Sequence, residues 1–264
     1  MLQITVYKNV TNDVFYCYSN MDVSKPKQGV MRLLALCGLF LLVMLSSCST
    51  RIDGVVLEGG EAELSLKASL EPRTLALIHS MRVFMGESSN APILDGLSIS
   101  RSMAASSGIR SVSLSNTSPS ALEGLISISN LGDFLAGDDV RGRFIAYAEG
   151  AGASSLVIAL DRDSAPVIIS RLPPEAGEYL SALMAPAVLG ERSTRQEYLD
   201  LLAMVYGRPL ADEIAAARIL VSLEFPRPPT AVLGGNAAGR RAEFDIPLLD
   251  VLVLERPLRY EVNW

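Results

Sequence analysis

The chain has 264 residues, 49% of them hydrophobic, with 23 Lys and Arg against 29 Asp and Glu, one His, three Cys and one Trp. That length gives one large domain or two small ones with ample core, which excludes disorder as a description of the whole. A net charge of −6 and a pI near 5.0 exclude a nucleic-acid binder that works by neutralising phosphates, and a single His removes most metal and triad chemistry.

The first element is the run 33–45, LLALCGLFLLVML, thirteen residues without a charge. About 18–20 apolar residues are needed to span a bilayer and about 7–15 make the core of a secretory signal, so the run reads as a signal peptide. Lys25, Lys27 and Arg32 supply the positive region before it, and Leu45-Ser46-Ser47-Cys48 closes it. Those four residues resemble the lipobox of bacterial lipoproteins. The resemblance implies cleavage before Cys48, with Leu45, Ser46 and Ser47 read by the signal peptidase, and lipid attachment to the Cys48 thiol. The boundaries that follow are 1–30, an N-terminal extension or a mis-assigned start with Met21 or Met31 as the expected first residue; 31–47, the signal peptide; and 48–264, a single mature domain. Ser49 stands where Asp would signal inner-membrane retention in bacteria that use that rule, which points to the outer membrane.

The 48–264 body carries 19 basic and 27 acidic groups, net −8, and Lys67 is its one Lys. So acidic a body is not drawn to anionic headgroups by charge, and attachment to the membrane is expected through acyl chains on Cys48. Cys17 and Cys37 precede the cleavage point and Cys48 is acylated, which leaves no thiol for a disulfide, a zinc site or a nucleophile. No cofactor and no metal site is expected.

In the body, residues 61–70 (EAELSLKASL) alternate without error, and Gly59-Gly60 before them predicts a hairpin with 52–57. Pro72 opens a helix to Met85, stopped by Gly86, and a second helix is predicted over 92–106. Residues 88–120 hold 12 Ser, but Val112-Ser113-Leu114 alternates, so the stretch reads as loop, helix, loop and strand rather than as a linker. Strands are predicted over 122–129, 143–149, 155–161 and 219–225, the middle two joined by the turn Gly150-Ala151-Gly152-Ala153. Helices are predicted over 175–189 and 195–206. Thr194 to Glu197 has capping-box spacing, Gly207 fits a helix stop, and Pro209 fits the first turn of a short third helix. Strands return at 230–233, 241–244 and 258–264. The fold class is α+β, a mostly antiparallel sheet with helices packed on one face.

No motif carries catalysis. A strand rather than a helix follows Gly150-x-Gly152, against a nucleotide loop. Asp161-Arg162-Asp163 and Asp138-Asp139 lack the rest of a calcium-loop pattern and read as solvated turns. His79 lies inside the 72–85 helix without a neighbouring Cys or second His, and no Gly-x-Ser-x-Gly elbow is present. Two features are more suggestive. The 175–206 helices carry an apolar set including Met184, Leu202, Met204, Val205 and Tyr206, which either covers a sheet or lines a cleft for a lipid or partner. Leu258, Tyr260, Val262 and Trp264 alternate to the end, as in a half-buried last strand anchored by Trp264.

Glu197-Tyr-Leu199, Tyr206-Gly207, residues 244–250 (FDIPLLD), Pro257-Leu258 and residues 260–264 (YEVNW) resemble the carboxy-terminal part of uncharacterised spirochaete lipoproteins. More distantly, the Ile-Pro-Leu-x-Asp block before a terminal strand is similar to LppM-type lipoproteins, whose family association is with lipid binding by a sheet and helices. The resemblance carries over no functional residue beyond Cys48. The expectation is a lipid-anchored envelope lipoprotein, facing the periplasm or cell surface, with a non-enzymatic binding or organising role for an apolar ligand, a lipid or an envelope protein, and no nucleic-acid partner. The alternative is a periplasmic hydrolase that uses carboxylates such as Asp161 and Asp163, provided they converge in a cleft.

Overall fold

A computed structural model describes residues 50–84, 95–135, 144–150, 152–169, 181 and 183–264. In chain order the elements are β1 (Thr50–Val56), β2 (Ala62–Ser69), α1 (Pro72–Phe84), α2 (Gly96–Ala104), β3 (Ile109–Ser118), β4 (Ala121–Ile128) and α3 (Leu131–Leu135). There follow β5 (Ile145–Glu149), β6 (Ser154–Leu160), α4 (Ser164–Ile169), α5 (Ala185–Val188), α6 (Arg195–Tyr206) and α7 (Arg208–Ala216). The chain ends with β7 (Arg218–Glu224), β8 (Ala231–Leu233), β9 (Asn236–Ala238), β10 (Arg241–Pro247), α8 (Leu248–Val253) and β11 (Leu258–Asn263).

The fold is α+β, and its strands divide between two sheets. The larger has the order β3-β4-β2-β1-β7-β10-β9 and the smaller β5-β6-β11-β8. Pairing is antiparallel throughout except between β1 and β7, which run parallel with Thr50 opposite Ile219. The alternation of 61–70 explains the larger sheet's asymmetry. Ala62, Leu66 and Ala68 on β2, Leu122 and Ile126 on β4, Ile219 and Val221 on β7, and Ala242 and Phe244 on β10 all point to one buried face. The opposite face carries Arg51, Glu63, Lys67, Glu123, Ser222 and Glu243, in register across neighbouring strands, and faces solvent.

Helices and the smaller sheet together cover the buried face. The Phe244 ring meets Tyr260 of β11 edge to face at 5.7 Å, and Trp264 lies on Phe225, centroids 4.5 Å apart. Trp264 also exchanges backbone hydrogen bonds with Ser154, its N–H donating at 3.0 Å and its carbonyl accepting at 2.8 Å. The expected tryptophan anchor is present, at the end of the smaller sheet's β6-β11 pair, one residue beyond Asn263 opposite Ser155. At Gly234-Gly235 the chain crosses from one sheet to the other. Gly234 has φ +80°, and a Cβ there would run into the Tyr260 ring, so only glycine fits.

Most expected elements are present within a few residues of their predicted ends. The 92–106 helix starts later, at Gly96, because Asp95 caps it by accepting from the N–H groups of Leu97 and Ser98. The Thr194–Glu197 capping box forms. The expected 175–189 helix lies largely outside the described residues; of it, Ala185–Val188 is helical. Three short helices, α3, α4 and α8, and strand β9 are additional to the expectation.

Candidate functional site

Leu45, Ser46, Ser47 and Cys48 lie outside the described residues, as do Asp138 and Asp139. The described body begins at Thr50, 0% exposed, inside a strand that has neighbours on both sides.

Asp161, Arg162 and Asp163 connect β6 to α4 and line an open cleft of about 520 Å³ with Arg192, Ser193, Thr194, Leu254, Glu255 and Pro257. The structure therefore brings Asp161 and Asp163 to one cleft rather than leaving them in an isolated turn. Their chemistry there is largely committed to the fold. The Asp161 carboxylate accepts from the Ser164 N–H at 2.7 Å, and the Ser164 hydroxyl accepts from the Asp161 N–H at 2.9 Å, an exchange that starts α4. Hydrogen bonds from Ser164 hold the Asp161 carboxyl below the usual carboxylate range, so it is ionised and a poor proton donor at neutral pH. Asp163 is exposed.

Arg162 has a second structural task. Helix α8 ends on Leu254, whose φ of 46° and ψ of 45° place it in the left-handed region, the one non-glycine with positive φ among the described residues. Such a conformation costs roughly 1–2 kcal/mol in a residue with a Cβ. Leu254 is held there by burial, at 1% exposed, and by Arg162, whose Nε donates to the Leu254 carbonyl at 2.8 Å while Nη1 donates to Glu191 O at 2.6 Å. A cation at a helix C-terminus also opposes the helix dipole.

A smaller recess of about 240 Å³ adjoins through Glu255. The Arg195 guanidinium lies 2.9 Å from Asp250 and 3.7 Å from Glu255, and Glu255 accepts from the Arg195 N–H at 3.2 Å. Thr194 and Glu197 close the capping box, with N–H to carboxylate at 2.8 Å and N–H to hydroxyl at 3.2 Å. Bonds from Thr194 hold the Glu197 carboxyl low.

The other end of α6 is different. Tyr198 and Leu202 are buried, the Tyr198 hydroxyl donates to Leu183 O at 2.7 Å, and burial pushes that phenol up. Leu201, Met204, Val205 and Tyr206 are exposed, Met204 at 83%. The two methionines do not face a common space, since Met184 belongs to the core at 1% exposed. Core packing therefore accounts for Met184 and leaves Met204 as surface.

His79 is half buried on α1. The Gly150 N–H donates to Ala153 O at 3.0 Å, at the end where β5 and β6 pair as a hairpin. Among the described residues no group of three or more His, Cys, Asp or Glu is placed to hold a metal, and no helix is long and apolar enough to cross a membrane. Sequence reasoning missed Arg162 and Glu255 as organising groups. Nothing local marks either one, because their partners lie across the chain at Leu254 and Arg195.

These elements define an α+β fold of two mostly antiparallel sheets with helices. No protein-family model matches the chain, and comparison with curated proteins gives no match. Among solved structures it is similar to the NMR structure of the folded domain of the LppM protein of Mycobacterium tuberculosis, at 10% identity and a TM-score of 0.37, covering 83% of this chain and 89% of that one. At that level the likeness is weak and brings neither a residue role nor a ligand across.

Proposed function

We propose that this is a lipid-anchored envelope lipoprotein whose 48–264 body has a non-enzymatic role, binding or organising an apolar ligand, a lipid or a membrane-protein partner. The observation that carries the reading is the order of residues 25–48: cations, thirteen uncharged apolar residues, two small residues and Cys48, followed after one further residue by β1. The exposed apolar end of α6 supports a binding role. In this reading residues 31–47 are removed, Cys48 carries the acyl chains, and the body faces the periplasm or cell surface of the outer membrane. More than one chain is needed, since a single acyl chain holds only marginally.

Two measurements test the reading. Cys48→Ser is expected to leave an unprocessed precursor without acyl label in cells fed labelled palmitate; a variant still cleaved and still labelled contradicts the lipobox. Native mass spectrometry and apolar-probe titration of purified 49–264 test the ligand. Bound lipid or saturable probe binding is expected for a lipid carrier, and neither for a body that docks a protein partner. A second reading, hydrolysis by Asp161 and Asp163, draws on their shared cleft. Against it, Asp161 is committed to Ser164.

A further inference from the structure

The covalent path from Cys48 to the folded body is two residues, at most about 7 Å of extended chain. Thr50 is not on a loose arm. It is wholly buried, with β2 on one side and β7 on the other, so the acylated residue is held close to one end of the larger sheet. Strand register identifies that end. Arg51 lies opposite Lys67, Ser69 opposite Ala121, Ser118 opposite Ala121, and Pro247 opposite Arg218. The rim just beyond Thr50 is thus made by the β3–β4 turn at 118–120, the β2–α1 junction at Glu71, and the α7–β7 junction at Arg218.

The opposite end of β1 leads to the turn at Glu58–Gly60. Eight residues separate Glu58 from Thr50, which at about 3.3 Å each puts the two ends roughly 25 Å apart. The Thr50 end holds Arg51, Lys67, Arg73 and Arg218 together with Glu71, Glu123, Asp245, Asp53, which lies 2.7 Å from Arg51, and Glu213, which accepts from the Thr74 N–H. The 118–120 turn and the strand residues flanking it, 116–122, carry no charge. The part of this edge nearest solvent, the 118–120 turn, therefore meets a lipid surface with no charge of its own to repel or desolvate.

We infer that the sheet edge formed by Glu71, the 118–120 turn and Arg218 rests directly on the bilayer that holds the acyl chains, with the Glu58–Gly60 turn directed away from it. The inference rests on the proposed acylation of Cys48. It makes the anchor an orienting device: with no spacer, the fold cannot turn freely above the membrane.

The mature chain has no other cysteine, so a single introduced one is the only thiol to label. Acylated protein bearing Pro119→Cys, or Glu71→Cys as a second proximal position, is compared with Glu58→Cys in phosphatidylethanolamine and phosphatidylglycerol vesicles containing headgroup spin-labelled lipid. A fluorophore at 119 or 71 is expected to be quenched several-fold more than one at 58. Ten Gly and Ser residues inserted between Ser49 and Thr50 are expected to remove the difference. Equal or reversed quenching in protein shown by mass to be acylated at Cys48 overturns the orientation alone. Absence of acyl mass at Cys48 overturns the anchor and the orientation with it.

Discussion

The two ends of α6 lie about 18 Å apart along one twelve-residue helix and use their side chains in opposite ways. At the amino end, Thr194, Arg195 and Glu197 are bound to one another or to Asp250 and Glu255, and the neighbouring Arg162 and Asp161 hold α8 and α4. At the carboxyl end, Leu201, Met204, Val205 and Tyr206 are left in solvent. Charge clustered in a cleft suggests chemistry, yet here it mostly terminates helices. Of the apolar set in this part of the chain, Met184, Tyr198 and Leu202 enter the core, and Leu201, Met204, Val205 and Tyr206 are left available.

Substitutions sharpen that contrast. The largest effect is expected for Arg162→Ala, which strips the Leu254 carbonyl of its donor and loosens a left-handed cap; a loss of about 2 kcal/mol in urea unfolding follows from a charged hydrogen bond removed from a buried acceptor. Little loss there means that burial alone holds Leu254. Thr194→Ala removes the N-cap and is expected to lower stability by about 1 kcal/mol in the same assay. A smaller effect, present at neutral pH and fading in acid, is expected for Asp161. Its folded pKa lies below its unfolded value, so its contribution is present above about pH 3.9 and fades as pH falls through the folded pKa. Asp161→Asn is therefore expected to be less stable at neutral pH but to lose less on acidification, as read from melting temperature between pH 7 and pH 2. The smallest change in stability is expected at the other end, where Met204→Ser with Val205→Ser shifts unfolding by under about 0.5 kcal/mol. The same double variant is expected to weaken apolar-probe or partner binding; unchanged binding removes α6 from the proposed role.

Sequence pattern revealed the parts of this fold that depend on local regularity. The faultless alternation of 61–70 identified β2 and its wet face, and Thr194 to Glu197 identified the start of α6 to the residue. The division into two sheets was not legible. Val232 pairs with Val262 while Asn236 pairs with Glu243, and the chain crosses between the sheets at Gly234, where a Cβ would meet the Tyr260 ring. Helix α8 was hidden because Leu248 to Leu254 is almost uniformly apolar and buried, without a period to read. Its end is fixed by Arg162, some ninety residues earlier. For the site, Asp161 and Asp163 were visible as a pair, but their shared cleft and the commitment of Asp161 to Ser164 depend on tertiary placement.

The central claim is the anchor at Cys48, and the most direct measurement is the mass of the amino-terminal peptide of the protein isolated from its native membrane. The account predicts a peptide that begins at Cys48 and carries acyl mass. A peptide that extends upstream of Cys48, or one that begins there with an unmodified thiol, contradicts it.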